Sequence, residues 1–186
     1  MEQLNYSLFL LMNASYDGSN ITIARLAAEW PIWITAAIIA VAAFRTPKQH
    51  WPQLLCPVTA VGLTLCLAYL IRHIWYHPRP FVIDIGHTYL AHEANASFPS
   101  NHSSLLFAIA FGLLLTRGMR VYGLIILTLA CIVGWARVYV GVHFPLDILG
   151  AILLALVINL VCRSFFQRCI VPRAWWHRFS GRFQPR

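Results

Sequence analysis

Ala136-Arg137-Val138-Tyr139-Val140-Gly141-Val142-His143-Phe144-Pro145-Leu146-Asp147 sets an arginine, a histidine and an aspartate between two apolar stretches, each long enough to approach a membrane span. Ionisable groups are costly in hydrocarbon, so inside a membrane protein they mark function by default. If helix runs from His143 onward, Asp147 lies one turn further along on the same face. Its carboxylate then accepts the proton of one ring nitrogen, which fixes the tautomer and leaves the other nitrogen's lone pair free to attack or to take a proton. A His/Asp pair that merely caps a span satisfies the same spacing, and this stretch alone leaves the two readings even.

Outward from it, the chain is apolar. Of 186 residues, 59% are hydrophobic and 11% charged, and the mean hydropathy is +0.65. This composition predicts an all-α integral membrane protein of one domain, 1–186, because spans and short connections use up nearly all the length. A bundle of about five transmembrane helices is expected, at roughly 21–44, 53–76, 99–116, 121–138 and 145–161, with Ser97 or Ser100 as the N-cap of the third. Residues 4–12 are too short to span and lead into a polar run. Residues 1–20 therefore read as an interfacial N-terminal segment, without a cleavable signal. Arg25 and Glu29 are spaced to pair within one turn.

The formal charge of +8 raises nucleic acid as a partner, but the basic residues follow topology. Arg45 and Lys48, Arg117 and Arg120, and the tail arginines Arg163, Arg168, Arg173, Arg178, Arg182 and Arg186 mark three cytoplasmic regions by the positive-inside rule. The site then faces outward and the C-terminus inward. The basic tail, 164–186, interleaves arginines with Phe165, Phe166, Trp175, Trp176, Phe179 and Phe183. That pattern suits the anionic inner surface of a bilayer, making membrane lipids the expected partner. The five cysteines sit in spans or tail and imply neither a disulfide framework nor a metal site.

Three polar clusters fall on outer span ends: Arg72 to Pro80, Pro99 to His102, and Arg137 to Asp147. Arg72 and Arg79, two helical turns apart, would share a face if helix continued through them. Three arginines beside the backbone N–H groups of Ser100, Asn101 and His102 at a helix start make an anion site, and guanidinium forks match phosphate. With phosphate there, His143, oriented by Asp147, would attack phosphorus and form a phosphohistidine. His102 would protonate the leaving oxygen and later activate water. This chemistry calls for no cofactor and no metal. The arginines should lower the pKa of His143 and Asp147 should oppose them, with a bell-shaped pH profile as the result.

Arg79-Pro80 with a basic residue seven positions earlier, then Pro-Ser-x-His, then Arg-x5-His-x3-Asp, resembles the three-part signature of the type 2 phosphatidic acid phosphatase superfamily. The resemblance covers about the C-terminal two-thirds of the chain. It implies phosphate binding by Arg72, Arg79, Ser100, Asn101 and Arg137, acid/base catalysis by His102, and His143 as nucleophile with Asp147 as its partner. Arg72, Asn101 and Ala136 depart from the usual lysine, glycine and serine. Within the superfamily, Phe98 to His102 and Gly141 to Asp147 are most similar to bacterial undecaprenyl-diphosphate phosphatases of the bacitracin-resistance type. Those enzymes return the cell-wall carrier lipid at the outer face of the cytoplasmic membrane.

Three rival readings stay on the table. His73, His77, His87 and His92 could hold a metal, although no closed ligand set accompanies them; the plainer reading is interfacial polar residues. A non-catalytic anion transporter or channel would also use arginines, but distributed through the membrane's depth. A phosphatidylglycerophosphate, phosphatidic acid or other lipid phosphate phosphatase would keep the motifs and change the tail, for which Tyr6, Phe9, Trp30, Trp33 and Trp75 are candidate groove walls. Asn95-Ala96-Ser97 matches a glycosylation acceptor and reads as chance in a bacterium. Oligomeric state, and whether Asp84 and Glu93 steer substrate, are left open.

Overall fold

The computed structural model describes residues 2–13 and 18–170, and every regular element among them is helical. In order these are α1 (Glu2–Met12), α2 (Gly18–Glu29), α3 (Pro31–Arg45), α4 (Leu55–Ile74), α5 (Asn101–Leu114), α6 (Arg120–Tyr139) and α7 (Pro145–Phe165). Short 3₁₀ turns occupy Lys48–Leu54 and Pro80–Val82, and a π turn occupies Phe166–Ile170. Three helices are long and apolar enough to cross a membrane, or four if the bent α2–α3 pair is one span.

That pair is where a single first span was expected, and it bends by 42°. Pro31 has no N–H to give the preceding turn, and its ring crowds the carbonyl four residues back. Hydrogen bonding resumes with Trp33 and Ile34 donating to the Trp30 carbonyl at 3.0 and 3.3 Å. α5 is also shorter than expected. Its 14 residues make about 21 Å of helix against a hydrocarbon core of about 30 Å. Ser100 is its N-cap in extended conformation, so the helix starts only at Asn101.

α5 is the central helix, touching α3, α4, α6 and α7. It buries Leu106, Phe107 and Ala108 against Ala130 and Val133 of α6 and Ala155 of α7. The outer faces stay apolar, as lipid requires of spanning helices: Leu124, Ile125 and Ile132 on α6 and Leu149, Leu153 and Val157 on α7 are exposed.

Several expectations are corrected. α4 stops at Ile74, and Arg79 lies in extended backbone, so Arg72 and Arg79 do not share a helix face. Arg25 donates from Nε to the Tyr89 carbonyl rather than pairing with Glu29. Tyr6 and Phe9 do not wall an open groove. Phe9 is fully buried, and both rings pack on Phe144 with centroids 5.2 Å away. α1 is thereby tied to the bundle, and Asn5 Oδ1 accepts the Leu146 N–H at 3.1 Å. Of the basic tail, Arg173, Arg178, Arg182 and Arg186 and the aromatics Trp175, Trp176, Phe179 and Phe183 lie outside the described residues.

Candidate active site

The turn from α6 to α7 is built by local chemistry. Val140 and Val142 N–H groups bond back to the carbonyls of Ala136 and Arg137 at 2.9 and 3.1 Å. Gly141 then takes φ +83°, a left-handed conformation that side chains disfavour. A Cβ there would meet the His87 carbonyl oxygen at 2.0 Å, so the connection between α4 and α5 lies directly on the turn, and Tyr89 N–H bonds Val140 O at 2.9 Å. Phe144 and Pro145 start α7, placing Asp147 in its first turn.

Asp147 is fully buried, and its Oδ2 gathers three groups. Phe144 N–H donates at 2.8 Å, the Ser97 hydroxyl donates in short contact, and His143 Nδ1 stands at 3.1 Å. Ser97 Oγ is also 3.2 Å from His143 Nδ1. With two oxygens facing Nδ1, the hydrogen-bond network supports the tautomer that carries its proton there, leaving an unprotonated lone pair on Nε2 that can accept from a donor. That lone pair is 3.1 Å from Arg79 Nη1.

Arg79 is held from both sides. Nη1 donates to the Val142 carbonyl at 2.8 Å, while Nη2 and Nε donate to Asn95 Oδ1 at 2.7 and 3.2 Å. Arg137 is 1% exposed, and its Nη1 reaches the Ala28 carbonyl at 3.4 Å, beside the α2–α3 break. Its Nε and Nη2, like the buried Ser100 Oγ, have no partner. A buried donor without an acceptor costs about 1–3 kcal/mol, and converging guanidinium and hydroxyl donors suit the oxygens of an anion. Arg72 stands further out, donating to the Pro99 carbonyl at 3.2 Å.

Ser100 N–H was expected to face the anion, but it bonds the Asp147 carbonyl at 3.2 Å. This ties the second motif to the third. Asn101, exposed, and His102, half-buried, open α5 just beyond. His102 lies within charge range of Arg137, Arg79 and His92. The preceding Phe98 is seated by Gly150 of α7, where an added Cβ would meet the ring at 2.2 Å.

Burial is the largest influence on His143, pushing it down to about 3 against the pull of Asp147, with Arg137 and Arg79 adding to the descent. The imidazole is neutral at physiological pH, as a nucleophile must be. Burial likewise brings Arg79 down to about 10, still charged at neutral pH, with Asp147 opposing.

Ser97, Asn95 and His92 were not read as site residues from sequence. The signal for the first two was an Asn-x-Ser immediately before Phe98 and Pro99. His92 stands near-perpendicular to His143, ring centroids 6.3 Å apart. The other histidines weighed as metal ligands disperse: His73 of α4 stacks on Tyr69, His77 lies between Trp75 and Phe144, and His87 lies by Tyr89. Among the described residues no group of three or more His, Cys, Asp or Glu converges to hold a metal.

A family model described as the PAP2 superfamily matches residues 53–170, the part of the chain that carries this constellation. YbjG of Escherichia coli is 34% identical over 187 residues, covering 99% of this chain and 90% of its own. The undecaprenyl-diphosphatase BcrC of Bacillus subtilis is 30% identical, covering 87% of this chain and 84% of its own. The crystal structure of Aquifex aeolicus LpxE has the same fold, with a TM-score of 0.67 at 24% identity, covering 87% of this chain and 95% of that one.

Proposed function

The chain belongs to the PAP2 superfamily, and from that premise we propose that it hydrolyses undecaprenyl diphosphate to undecaprenyl phosphate and inorganic phosphate. The reaction recycles the cell-wall carrier lipid and thereby confers bacitracin resistance. One observation carries the mechanism: His143 has Nδ1 on Asp147 and Nε2 beside the Arg79 guanidinium. Arg79, Arg137 and the Ser100 hydroxyl bind the terminal phosphate, with Arg72 and Asn101 at the rim. His143 Nε2 attacks phosphorus to give a phosphohistidine. Asp147 stabilises the positive charge that develops on the ring. The guanidinium groups take up charge on the equatorial oxygens. His102 protonates the departing oxygen and then deprotonates the water that releases phosphate.

The setting is the bacterial cytoplasmic membrane. The bent α2–α3 pair, α4, α5, α6 and α7 make five crossings, with α1 along the outer interface, the site open to the exterior and the basic C-terminal tail in the cytoplasm. Every site residue lies at the outer end of a helix or in the connections that join those ends in that topology, and the substrate diphosphate is presented there. The identity of BcrC supports the lipid diphosphate as substrate.

The test is phosphate release by detergent-purified protein in the presence of a chelator. Undecaprenyl diphosphate, phosphatidylglycerophosphate and phosphatidic acid are offered in parallel, with His143→Ala as control. Preference for the prenyl diphosphate, lost in the variant, is the expected result. Preference for a glycerolipid would replace the substrate and keep the mechanism.

A further inference from the structure

The constellation around His143 accounts for one phosphate, whereas a diphosphate carries two. We propose that His92, on the outer connection, binds the second phosphate of a diphosphate substrate, the one that departs with the lipid. The inference rests on the proposed function.

His92, like Arg79 and Ser97 of the same connection, stands beside the nucleophile, its ring centroid 6.3 Å from that of His143 at 74°. It is half-buried and lies within charge range of both Arg79 and Arg137 and of His102. Its ring therefore borders the site on the side of the attacking histidine, where the departing half of a diphosphate can be reached. Its Nδ1 is 3.2 Å from the Glu93 carbonyl. A carbonyl only accepts, so the ring proton sits on Nδ1, and Nε2 is left for substrate. The connection is fixed in place: Asn95 joins Arg79 to Glu93, donating to Glu93 Oε2 at 3.3 Å.

His143 and Glu93 stand beside His92, and the charged or titratable groups that act on it are Arg79, Arg137, His102 and Glu93. Burial and the arginines hold it below the usual imidazole range, so it is neutral before substrate arrives. The two phosphates bring the opposing charge, and the imidazolium they induce donates from Nε2 to the second phosphate. In the transfer, the bond from His143 Nε2 to the terminal phosphorus forms and the bond from that phosphorus to the bridging oxygen breaks. The electron pair goes to the bridging oxygen, which leaves as part of the lipid monophosphate with a proton from His102. A cation on the departing phosphate stabilises the charge that grows there. A monophosphate ester has no second phosphate and gains nothing from it.

The test uses the full-length protein in detergent with a prenyl diphosphate and the prenyl monophosphate of the same chain length, so that tail binding cancels. The readout is the ratio of kcat/KM for the two, taken within one preparation and therefore independent of the folded fraction. His92→Ala should lower the ratio about tenfold or more, the size of a lost hydrogen bond to a charged group, and His92→Arg should restore most of it. A ratio unchanged within about twofold in a wild type that prefers the diphosphate, or a proportionate loss on both substrates, overturns the inference and leaves the proposed function standing. A wild type without preference for the diphosphate overturns the proposed function, and the inference with it.

Discussion

Ser97→Ala removes a single oxygen from the deepest part of the site. Ser97 is fully buried, and its hydroxyl donates to Asp147 Oδ2 while lying 3.2 Å from His143 Nδ1. Asp147 would still hold Phe144 N–H and His143 Nδ1, so the carboxylate stays paired and the turn stays closed. What is lost is one charge-assisted hydrogen bond, worth about 1.5–3 kcal/mol. Two surviving partners put the expected loss at the lower end, about 1.5–2 kcal/mol, or roughly 10- to 30-fold at 1.4 kcal/mol per decade. Because Ser97 touches the pair that orients the nucleophile and no phosphate-binding donor, the loss should fall on kcat, with KM within about twofold. Steady-state phosphate release by detergent-purified variants measures both, with the thermal midpoint as a check on folding. A kcat within about twofold of wild type, or a loss confined to KM, would refute the reasoning.

Other outcomes follow from the same geometry. Gly150→Ala places a methyl 2.2 Å from the Phe98 ring. It should cost about 1–3 kcal/mol of stability through overpacking and reduce activity by displacing Pro99 and Ser100; added Phe98→Leu should recover part of both in melting and turnover assays. His143 is held at about 3 in the folded state against about 6.5 unfolded, so between those values the unfolded chain binds the extra proton. Stability should therefore fall as pH drops below about 6.5, by about 1 kcal/mol per pH unit, and His143→Gln should flatten that slope in thermal melts from pH 7 to 5. The same depression keeps the nucleophile neutral, so single-turnover phosphoenzyme formation should be free of a His143 limb from pH 8 down to 5. Asn5→Ala removes the α1 acceptor from Leu146 N–H in the first turn of α7. It should lower kcat severalfold with little change in KM, and Asn5→Asp should retain most of the activity.

Much of the site was readable from the three polar clusters, because a motif states which residue types stand at which spacing. Arg79, His143 and Asp147 stand in one chain of contacts, Ser100 joins it through its N–H on the Asp147 carbonyl, and the i,i+4 relation of His143 to Asp147 holds even though α7 starts only at Pro145. What spacing could not state is which distant groups complete the set. Ser97 meets Asp147 fifty residues away, Asn5 meets Leu146 across 141, and Asn13 donates to His87 and Tyr139 carbonyls across 74 and 126. Such contacts leave no periodicity in the chain. The bend at Pro31 was visible in principle, since proline within an apolar run breaks the hydrogen-bond ladder, but hydropathy averaged over the run hides it. The short α5 escaped because spacing does not show that Ser100 stays extended and postpones the start of the helix to Asn101.

The phosphohistidine itself is the most direct test. Prenyl diphosphate labelled in the terminal phosphate should be mixed with wild type, His102→Ala and His143→Gln, quenched in alkaline detergent where phosphohistidine survives, and the labelled peptide identified by mass spectrometry. Label on His143 in wild type, released more slowly from His102→Ala in a chase because water is no longer activated, and none in His143→Gln, is the predicted result. Turnover by wild type without label on any histidine, or turnover retained by His143→Gln, would contradict the account.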